Sequence, residues 1–123
     1  MEWKFDSNSP IYIQIMNHIK KCIVSGEYKP GEQIPSVREL AVEAGVNPNT
    51  MQKALSELER EQILFSKRSA GRFVAEINKD LKGNISNDII LNFINEMHSL
   101  GYNEKEILDL VKESLKKEEK WVL

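Results

Sequence analysis

The feature that most constrains this chain is a short link between two helical patterns in its first half. Ser36 with Glu39 three residues later fits a capping box, and the helix that follows is expected to end at Gly45. Asn47 followed by Pro48 is the signature of a second helix start. Gly45 can adopt the left-handed backbone conformation that so tight a turn requires. The sequence therefore predicts two helices that cross closely at this turn.

Three helices are expected in this part of the chain, each with one apolar face. The first begins at Ser9-Pro10, a cap residue followed by proline at the first helical position, and ends near Ser25. The apolar positions are Tyr12, Ile15, Met16, Ile19, Cys22 and Ile23 in the first helix, Val37, Leu40, Ala41 and Ala44 in the second, and Met51, Ala54, Leu55 and Leu58 in the third. Because such faces are buried against one another, the pattern predicts one small helical core.

A β-hairpin is expected directly after the third helix. Two short β-prone runs, 63–66 and 72–75, flank a polar connector that contains Gly71. Lys67, Arg68 and Arg72 make this segment basic, and no acidic residue lies between Gln62 and Ala75. A solvated hairpin tip would also carry charge, so the basic residues alone do not define a site.

Together these elements form the pattern of a winged helix-turn-helix. In that arrangement the second helix of the turn enters the DNA major groove, and the basic hairpin, or wing, contacts the backbone or minor groove. The polar residues exposed at the start of the third helix are Asn47, Asn49, Thr50, Gln52 and Lys53. Their side chains can bond base edges or phosphates. An ordinary helical corner is the competing interpretation, and the adjoining basic hairpin favours DNA binding.

Charge and composition support this division of the chain. Among the 123 residues the formal net charge is −2, but all four arginines lie before residue 76. Ten basic and nine acidic residues precede residue 76, whereas seven lysines and ten acidic residues follow it. No apolar run is long enough to span a membrane, and the first residues do not resemble a signal peptide. We therefore expect a cytoplasmic protein with no membrane association.

The composition offers little for catalysis or metal binding. The chain has no glycine-rich phosphate loop and no nucleophile motif, so an enzyme is not expected. Cys22 is the only cysteine, and it is expected to be a buried, inert thiol on the first helix. His18 and His98 lack partners at ligand spacing, which predicts no metal site and no cofactor. The sequence does not decide whether Trp121 docks or remains exposed.

The second part of the chain predicts two further helices. Residues 78–87 are polar and are expected to form the junction. A helix ending at Gly101 and a second one starting at Asn103 would follow. Two such helices cannot hide both apolar stripes by themselves, so docking against a second copy is favoured over packing onto the first helix. The expected homodimer interface comprises Tyr12, Ile90, Phe93, Ile94, Met97, Ile107, Leu108, Val111 and Leu115.

The residues from 30 to 55 resemble a known family. The segment Pro-Gly-Glu-Gln-Ile-Pro-Ser-Val-Arg-Glu-Leu-Ala at 30–41 and the segment Gly-Val-Asn-Pro-Asn-Thr-Met-Gln-Lys-Ala-Leu at 45–55 resemble the signature and recognition helix of GntR-family transcription regulators. The Asn-Pro-Asn-Thr motif and the short C-terminal part of the chain most resemble the YtrA-like branch of that family. The resemblance covers roughly residues 10–75.

The resemblance implies a homodimer that binds double-stranded DNA at a palindromic operator, most often as a repressor. The contacts it implies are Ser36 and Arg38, then Asn47, Asn49, Thr50 and Gln52 on the recognition helix, and Arg68, Ser69 and Gly71 in the wing. From the residues alone, Arg38 could lie over a phosphate near a helix N-terminus or pair with Glu39 or Glu43.

The chain departs from the family pattern at three positions. Pro48 stands where many members have arginine, so we expect a different operator preference. Ser69 replaces a glycine of the wing, and Arg72 replaces a threonine and adds charge there.

The sequence as a whole predicts a mostly α fold with a small β-hairpin. Residues 1–77 would form the DNA-binding domain and residues 78–123 a short helical dimerisation arm. Control of a transporter operon is what the YtrA-like branch implies, and an arm of this length leaves little room for an effector pocket. The alternative function is a winged-helix module that binds proteins rather than specific DNA.

Overall fold

The computed structural model describes residues 2–76 and 80–122, which form five helices and two strands. The elements are α1 (Ile11–Val24), α2 (Val37–Ala44), α3 (Pro48–Arg60), β1 (Leu64–Lys67), β2 (Gly71–Val74), α4 (Leu81–Ser99) and α5 (Glu104–Val122). The chain divides into two compact units, Met1–Leu81 and Lys82–Leu123. The predicted boundary at residues 77–78 lies outside the described residues. The predicted fold class, mostly α with a hairpin, is confirmed.

The first unit is built around one apolar core. Its buried residues come from α1, α2, α3, the hairpin and the segment before α2: Ile15, Met16, Ile19, Ile34, Leu40, Ala41, Met51, Ala54, Leu55, Leu58, Ile63, Leu64 and Val74. The apolar stripes of α1 to α3 predicted most of this core, because each stripe faces the other two helices. Ile34 joins this core because the segment that contains it pairs with the hairpin.

The hairpin pairs antiparallel, with Leu64 opposite Val74 and Lys67 opposite Gly71. The far edge of β2 is also paired, through an isolated bridge between Gln33 and Phe73. Residues 31–34 therefore run beside the hairpin and join it to α2. This pairing fixes the start of α2 relative to the wing.

The start of α1 differs from the prediction. Pro10, not Ser9, is the N-cap residue, and no side chain caps the helix. The Gln14 side chain instead reaches back and donates hydrogen bonds to the carbonyl oxygens of Asp6 (2.9 Å) and Ser9 (2.8 Å). The carbonyl of Ser9 is thus occupied by a residue of the first turn, and the helix begins one residue later than the Ser-Pro pattern indicated.

The start of α4 is a larger correction. Residues 81–87, predicted to belong to a polar junction, are the first two turns of this helix. Asparagine, serine and glycine lower helix propensity by at most about 1 kcal/mol each, which neighbouring turns can offset. The Ser86 hydroxyl donates to the carbonyl oxygen of Lys82 at 2.8 Å, so its polar group is satisfied within the helix.

The two helices of the second unit are joined as predicted. Gly101 has φ +91° and ends the turn after α4. Asn103 and Glu106 then form a reciprocal capping box, because the backbone N–H of each residue donates to the side chain of the other at 3.0 and 2.9 Å. Within the described residues, no helix is both long and apolar enough to cross a membrane.

Candidate nucleic-acid interface

The turn between α2 and α3 has the geometry that its residues predicted. Gly45 lies in the left-handed region at φ +70°. The Asn47 side chain accepts a hydrogen bond from the backbone N–H of Asn49 at 2.7 Å, and Pro48 occupies the first helical position. Both helix ends at this corner are therefore closed by local interactions, which makes it a rigid support for the start of α3.

The polar residues at the start of α3 are accessible. Asn47, Asn49, Gln52 and Lys53 are exposed, whereas Thr50 is half-buried. Met51, the residue between them, is fully buried and holds this turn of the helix against the core. The side chains of Asn49 and Gln52 can therefore face a partner while the helix stays anchored.

Lys53 makes a contact that the sequence did not indicate. Its Nζ lies 4.0 Å from the centroid of the Tyr12 ring on α1, which is a cation–π distance. Tyr12 was predicted in the dimer interface and Lys53 in the DNA site. The structure thus brings together two residues that had been assigned to different surfaces.

At the start of α2, Ser36 and Arg38 are in different situations. The Ser36 hydroxyl accepts from the backbone N–H of Glu39 at 3.1 Å and lies 3.2 Å from the Glu39 carboxylate, so it caps the helix. Arg38 is exposed, and in the part of the chain that the structure describes no ion pair joins it to Glu39 or Glu43. The intramolecular pairing considered for Arg38 is therefore absent from the described residues.

The tip of the wing is a three-residue turn. The Ala70 N–H donates to the carbonyl oxygen of Lys67 at 3.0 Å, and Ser69, at the third position of the turn, has φ +66°. This conformation is the one that favours glycine. Ser69 therefore keeps the backbone that the family's glycine would adopt, at the cost of strain.

Gly71 and Gln33 support this tip. Gly71 has φ +115°, and a Cβ placed there would lie 2.8 Å from the Gln33 Nε2 atom. The Gln33 amide in turn donates to the carbonyl oxygen of Ala70. Sequence reasoning missed Gln33, because its contact with the wing depends on the pairing of residue 33 with Phe73. The tip is thus held from the α2 side as well as by its own turn.

A cleft of about 580 Å³ lies between the wing and α2. Residues 33–37, Glu39 and residues 70–72 line it. Ser36 stands on one wall and Gly71 on the other. The structure therefore brings the predicted Ser36 and wing residues to opposite sides of one opening.

The three basic residues of the hairpin are not equivalent. Arg68 is exposed at the tip. Lys67 Nζ lies 4.7 Å from the Phe73 ring centroid and 5.8 Å from that of Phe65, over a pair of stacked rings. The Arg72 side chain is only 17% exposed and is ion-paired with Glu59 of α3. Arg68 is the basic side chain whose position fits the predicted wing contact best.

Glu59 is a second residue that sequence reasoning missed. It accepts hydrogen bonds from the Ser66 hydroxyl, at 2.6 Å, and from Arg72 Nε. Burial by itself raises the pKa of the Glu59 carboxyl, but these two hydrogen bonds and the charge of Arg72 outweigh it, so the pKa is lowered. A signal for Glu59 was present in the sequence. The hairpin contains arginine but no acidic residue, so an ion-pair partner for Arg72 has to come from the neighbouring helix.

The predicted dimer residues differ in how far their side chains are exposed in the single chain. Ile107 is buried and Ile94, Met97, Val111 and Tyr12 are half-buried, whereas Ile90, Phe93, Leu108 and Leu115 are exposed. Further exposed apolar side chains of this unit, outside that set of interface residues, are Ile89, Leu91, Leu100 and Leu110. All of α4 lies within the described residues, and none of its side chains is buried in the single chain.

In the described ranges 2–76 and 80–122, no three His, Cys, Asp or Glu side chains are placed to hold a metal ion. His18 stacks on Trp3 instead, and Cys22 is buried. The buried position of Cys22 agrees with its predicted place on the apolar face of α1.

Comparison with known proteins supports the same interpretation. The family model for "Bacterial regulatory proteins, gntR family" matches residues 11–74, from α1 to the end of β2. The HTH-type transcriptional regulator YhcF of Bacillus subtilis (strain 168) is 39% identical over 115 residues, which cover 91% of this chain and 95% of YhcF. The HTH-type transcriptional repressor YtrA of the same organism is 47% identical over 70 residues, covering 57% of this chain and 54% of YtrA.

Two solved structures extend the comparison. A GntR family transcriptional regulator from Listeria monocytogenes superposes with a TM-score of 0.79 at 40% identity, covering 89% of this chain and 98% of that one. The DNA-binding domain of AraR, solved in complex with operator ORX1, has a TM-score of 0.55 at 29% identity and covers 61% of this chain and 99% of that one. The chain therefore belongs to the GntR family of bacterial regulatory proteins and is a winged-helix transcriptional regulator rather than an enzyme.

Proposed function

We propose that the protein is a homodimeric repressor that binds a palindromic DNA operator through the start of α3 and the basic wing. The observation that carries this proposal is the placement of Asn49 and Gln52, which are exposed on a helix start anchored by the buried Met51. Amide side chains in that position can bond base edges in the major groove. Exposed arginines on both sides, Arg38 and Arg68, are suited to phosphate.

Dimerisation is supported by the apolar surface of the second unit. Four of the predicted interface residues are exposed, and α4 buries no side chain although it carries isoleucine, leucine and phenylalanine. So many exposed apolar side chains are costly in water unless a partner covers them. A second copy would cover it and would also set the spacing between operator half-sites.

The proposed setting is the bacterial cytoplasm, where the operator DNA is accessible, and the proposed target is a transporter operon. The related YtrA is a transcriptional repressor, and the DNA-binding domain of AraR is solved in complex with an operator. The overall net charge of −2 limits non-specific attraction to DNA, so specificity would depend on a few placed contacts.

The test starts from a pool of random duplexes, from which the purified protein retains its preferred sequences. Affinity for the recovered duplex is then measured over a range of salt concentrations. Phosphate contacts predict a linear fall of log K with log salt, and Arg38→Ala and Arg68→Ala should each reduce the slope by roughly two, about one for each protomer of the dimer. Asn49→Ala should change the preferred bases and leave the slope unchanged.

Arg60→Ala is the matched control. Arg60 is 81% exposed at the far end of α3 and pairs only loosely with Glu57, at 3.7 Å. Its removal should change neither slope nor preference. If no duplex is retained and binding shows no salt dependence, the proposal is wrong and the winged-helix protein-interaction module becomes the better interpretation.

A further inference from the structure

One face of α3 and both strands of the wing meet in a single polar network. Gln52, Ser56 and Glu59 are spaced four and three residues apart, so they lie on one face of the helix. Ser66 and Arg72 stand opposite each other in the hairpin. Both donate to Glu59 Oε1, so one carboxylate holds β1 and β2 against the helix.

The same arginine reaches the start of the helix. Arg72 Nη1 lies 3.5 Å from Gln52 Oε1, at the long end of the hydrogen-bond range. The Gln52 Nε2 group donates to the Ser56 hydroxyl at 3.0 Å. Both ends of the Gln52 amide are therefore oriented within the protein, with its oxygen toward Arg72 and its nitrogen toward Ser56.

The position of Arg72 is unsuited to a direct phosphate contact. Its side chain is 17% exposed and Glu59 provides an opposite charge in direct contact. A phosphate would have to displace that carboxylate, whereas Arg68 at the tip is exposed and forms no ion pair with any residue that the structure describes. The planar guanidinium is instead suited to bridging two acceptors on one helix face.

We propose that Arg72 is a positioning residue for DNA recognition, which orients the Gln52 amide and, through Glu59, holds the wing against α3. This inference rests on the proposed function, because it assumes that Gln52 reads a base. It replaces the expectation that Arg72 adds a charge contact to the wing. The base preference that Gln52 confers would then depend on a residue that does not touch DNA.

The experiment compares Arg72→Ala, Glu59→Gln and the double variant on the recovered operator and on a scrambled duplex of equal length. Both single variants should lower the ratio of the two affinities roughly a hundredfold, since one bidentate base contact is worth about tenfold and the dimer makes two. The double variant should be within about twofold of either single variant, because the two residues act through one network. The salt slope should stay unchanged in all three.

A readout of base preference separates positioning from a loss of stability. Repeating the selection with Arg72→Ala should relax preference at the same base positions that Gln52→Ala relaxes, and Arg72→Lys should restore it only in part. Arg68→Ala is the contrasting variant, with a reduced slope and an unchanged preference. Thermal unfolding of each variant confirms that the proteins compared are folded.

Two results would overturn the inference. A slope reduced by about two in Arg72→Ala (about one for each protomer), together with stronger operator binding by Glu59→Gln, would make Arg72 a phosphate ligand that Glu59 restrains. Lower stability with intact base preference in both variants would make the network purely structural. Absence of salt-dependent binding by the unmodified protein would instead contradict the proposed function itself, so the two failures are distinguishable.

Discussion

The indole ring of Trp3 stacks on the imidazole ring of His18, with ring centroids 3.7 Å apart and planes inclined by 19°. His18 lies on α1, so this contact joins the segment before the helix to the helix itself. Burial, the largest cause, lowers the pKa of His18 from its ordinary value, and the nearby charge of Lys21 acts in the same direction. Glu27 and Glu43 oppose the shift without cancelling it.

The first prediction concerns pH. Because the pKa of His18 is lower in the folded than in the unfolded protein, the unfolded state binds more protons between the two values. The stabilisation is complete above the unfolded pKa of about 6.5 and is lost as the pH falls through the folded pKa. Urea unfolding at about pH 7.5 and about pH 5.5 should show this loss.

His18→Phe provides the check on that prediction. Phenylalanine can keep the ring stack with Trp3 but does not titrate, so the pH dependence over this interval should become smaller. His98→Gln, on the exposed surface of α4, should leave it as in the original protein. An unchanged pH dependence in His18→Phe would show that another group is responsible.

A second prediction concerns the thiol of Cys22. The residue is 1% exposed, and burial followed by a hydrogen bond with Glu27 raises its pKa to about 11. Since the thiolate is the reactive form, alkylation of the native protein at neutral pH should be slow and should become complete in denaturant. Mass spectrometry of timed samples measures this, and rapid stoichiometric labelling of the native protein would contradict it.

A third prediction concerns the wing tip. Ser69 holds φ +66°, which costs an L-residue about 1–2 kcal/mol, whereas glycine adopts it without that strain but loses more entropy on folding. Ser69→Gly should therefore stabilise the protein by about 0.5–1 kcal/mol in urea unfolding. Ala70→Gly is the matched control, since Ala70 does not have a positive φ, and it should be neutral or destabilising. Equal effects of both would argue against strain at Ser69.

A fourth prediction concerns the second unit. Leu108 is 60% exposed in the single chain, so Leu108→Glu should leave the fold intact while burying a charge in the proposed dimer. An unpaired buried charge costs about 3 kcal/mol or more, which corresponds to at least roughly a hundredfold weaker association. Sedimentation equilibrium over a range of concentrations measures it.

Val42→Glu controls for the loss of an exposed apolar residue as such. Val42 is 84% exposed on α2, outside the proposed interface, and its replacement should leave the association constant unchanged. A wild-type protein that sediments as one chain at all concentrations, or a Leu108→Glu variant that still forms the dimer, would contradict the proposed interface.

The helix boundaries that sequence patterns predicted correctly are those set by local chemistry. Ser36 and Asn47 cap α2 and α3 as expected, and Gly45 ends α2 in the left-handed region. These interactions involve residues at most three positions apart, so the sequence contains the whole interaction. Where a longer reach matters, the prediction was wrong: Gln14 bonds back across several residues, and the N-cap of α1 is Pro10 rather than Ser9.

For the candidate site too, sequence patterns predicted the features that local periodicity sets and missed the contacts that depend on tertiary packing. The exposure of Asn49 and Gln52 follows from the period of α3, because Met51 and Leu55 must face the core. The contact of Lys53 with Tyr12 could not be read from either helix alone. It depends on how α1 and α3 pack, which is set by many apolar side chains together.

The sequence by itself determined the winged-helix order, the tight turn at Gly45 and the residues that α3 exposes, because each follows from spacing and local capping. Only the tertiary structure decided that Arg72 turns toward Glu59 and Gln52 rather than outward beside Arg68. The physical reason is that the register of the hairpin and its packing on α3 place a carboxylate within reach of one guanidinium and not of the other. The charge of a side chain determines which groups it can bind, and the packing of the elements determines which of those groups lies within reach.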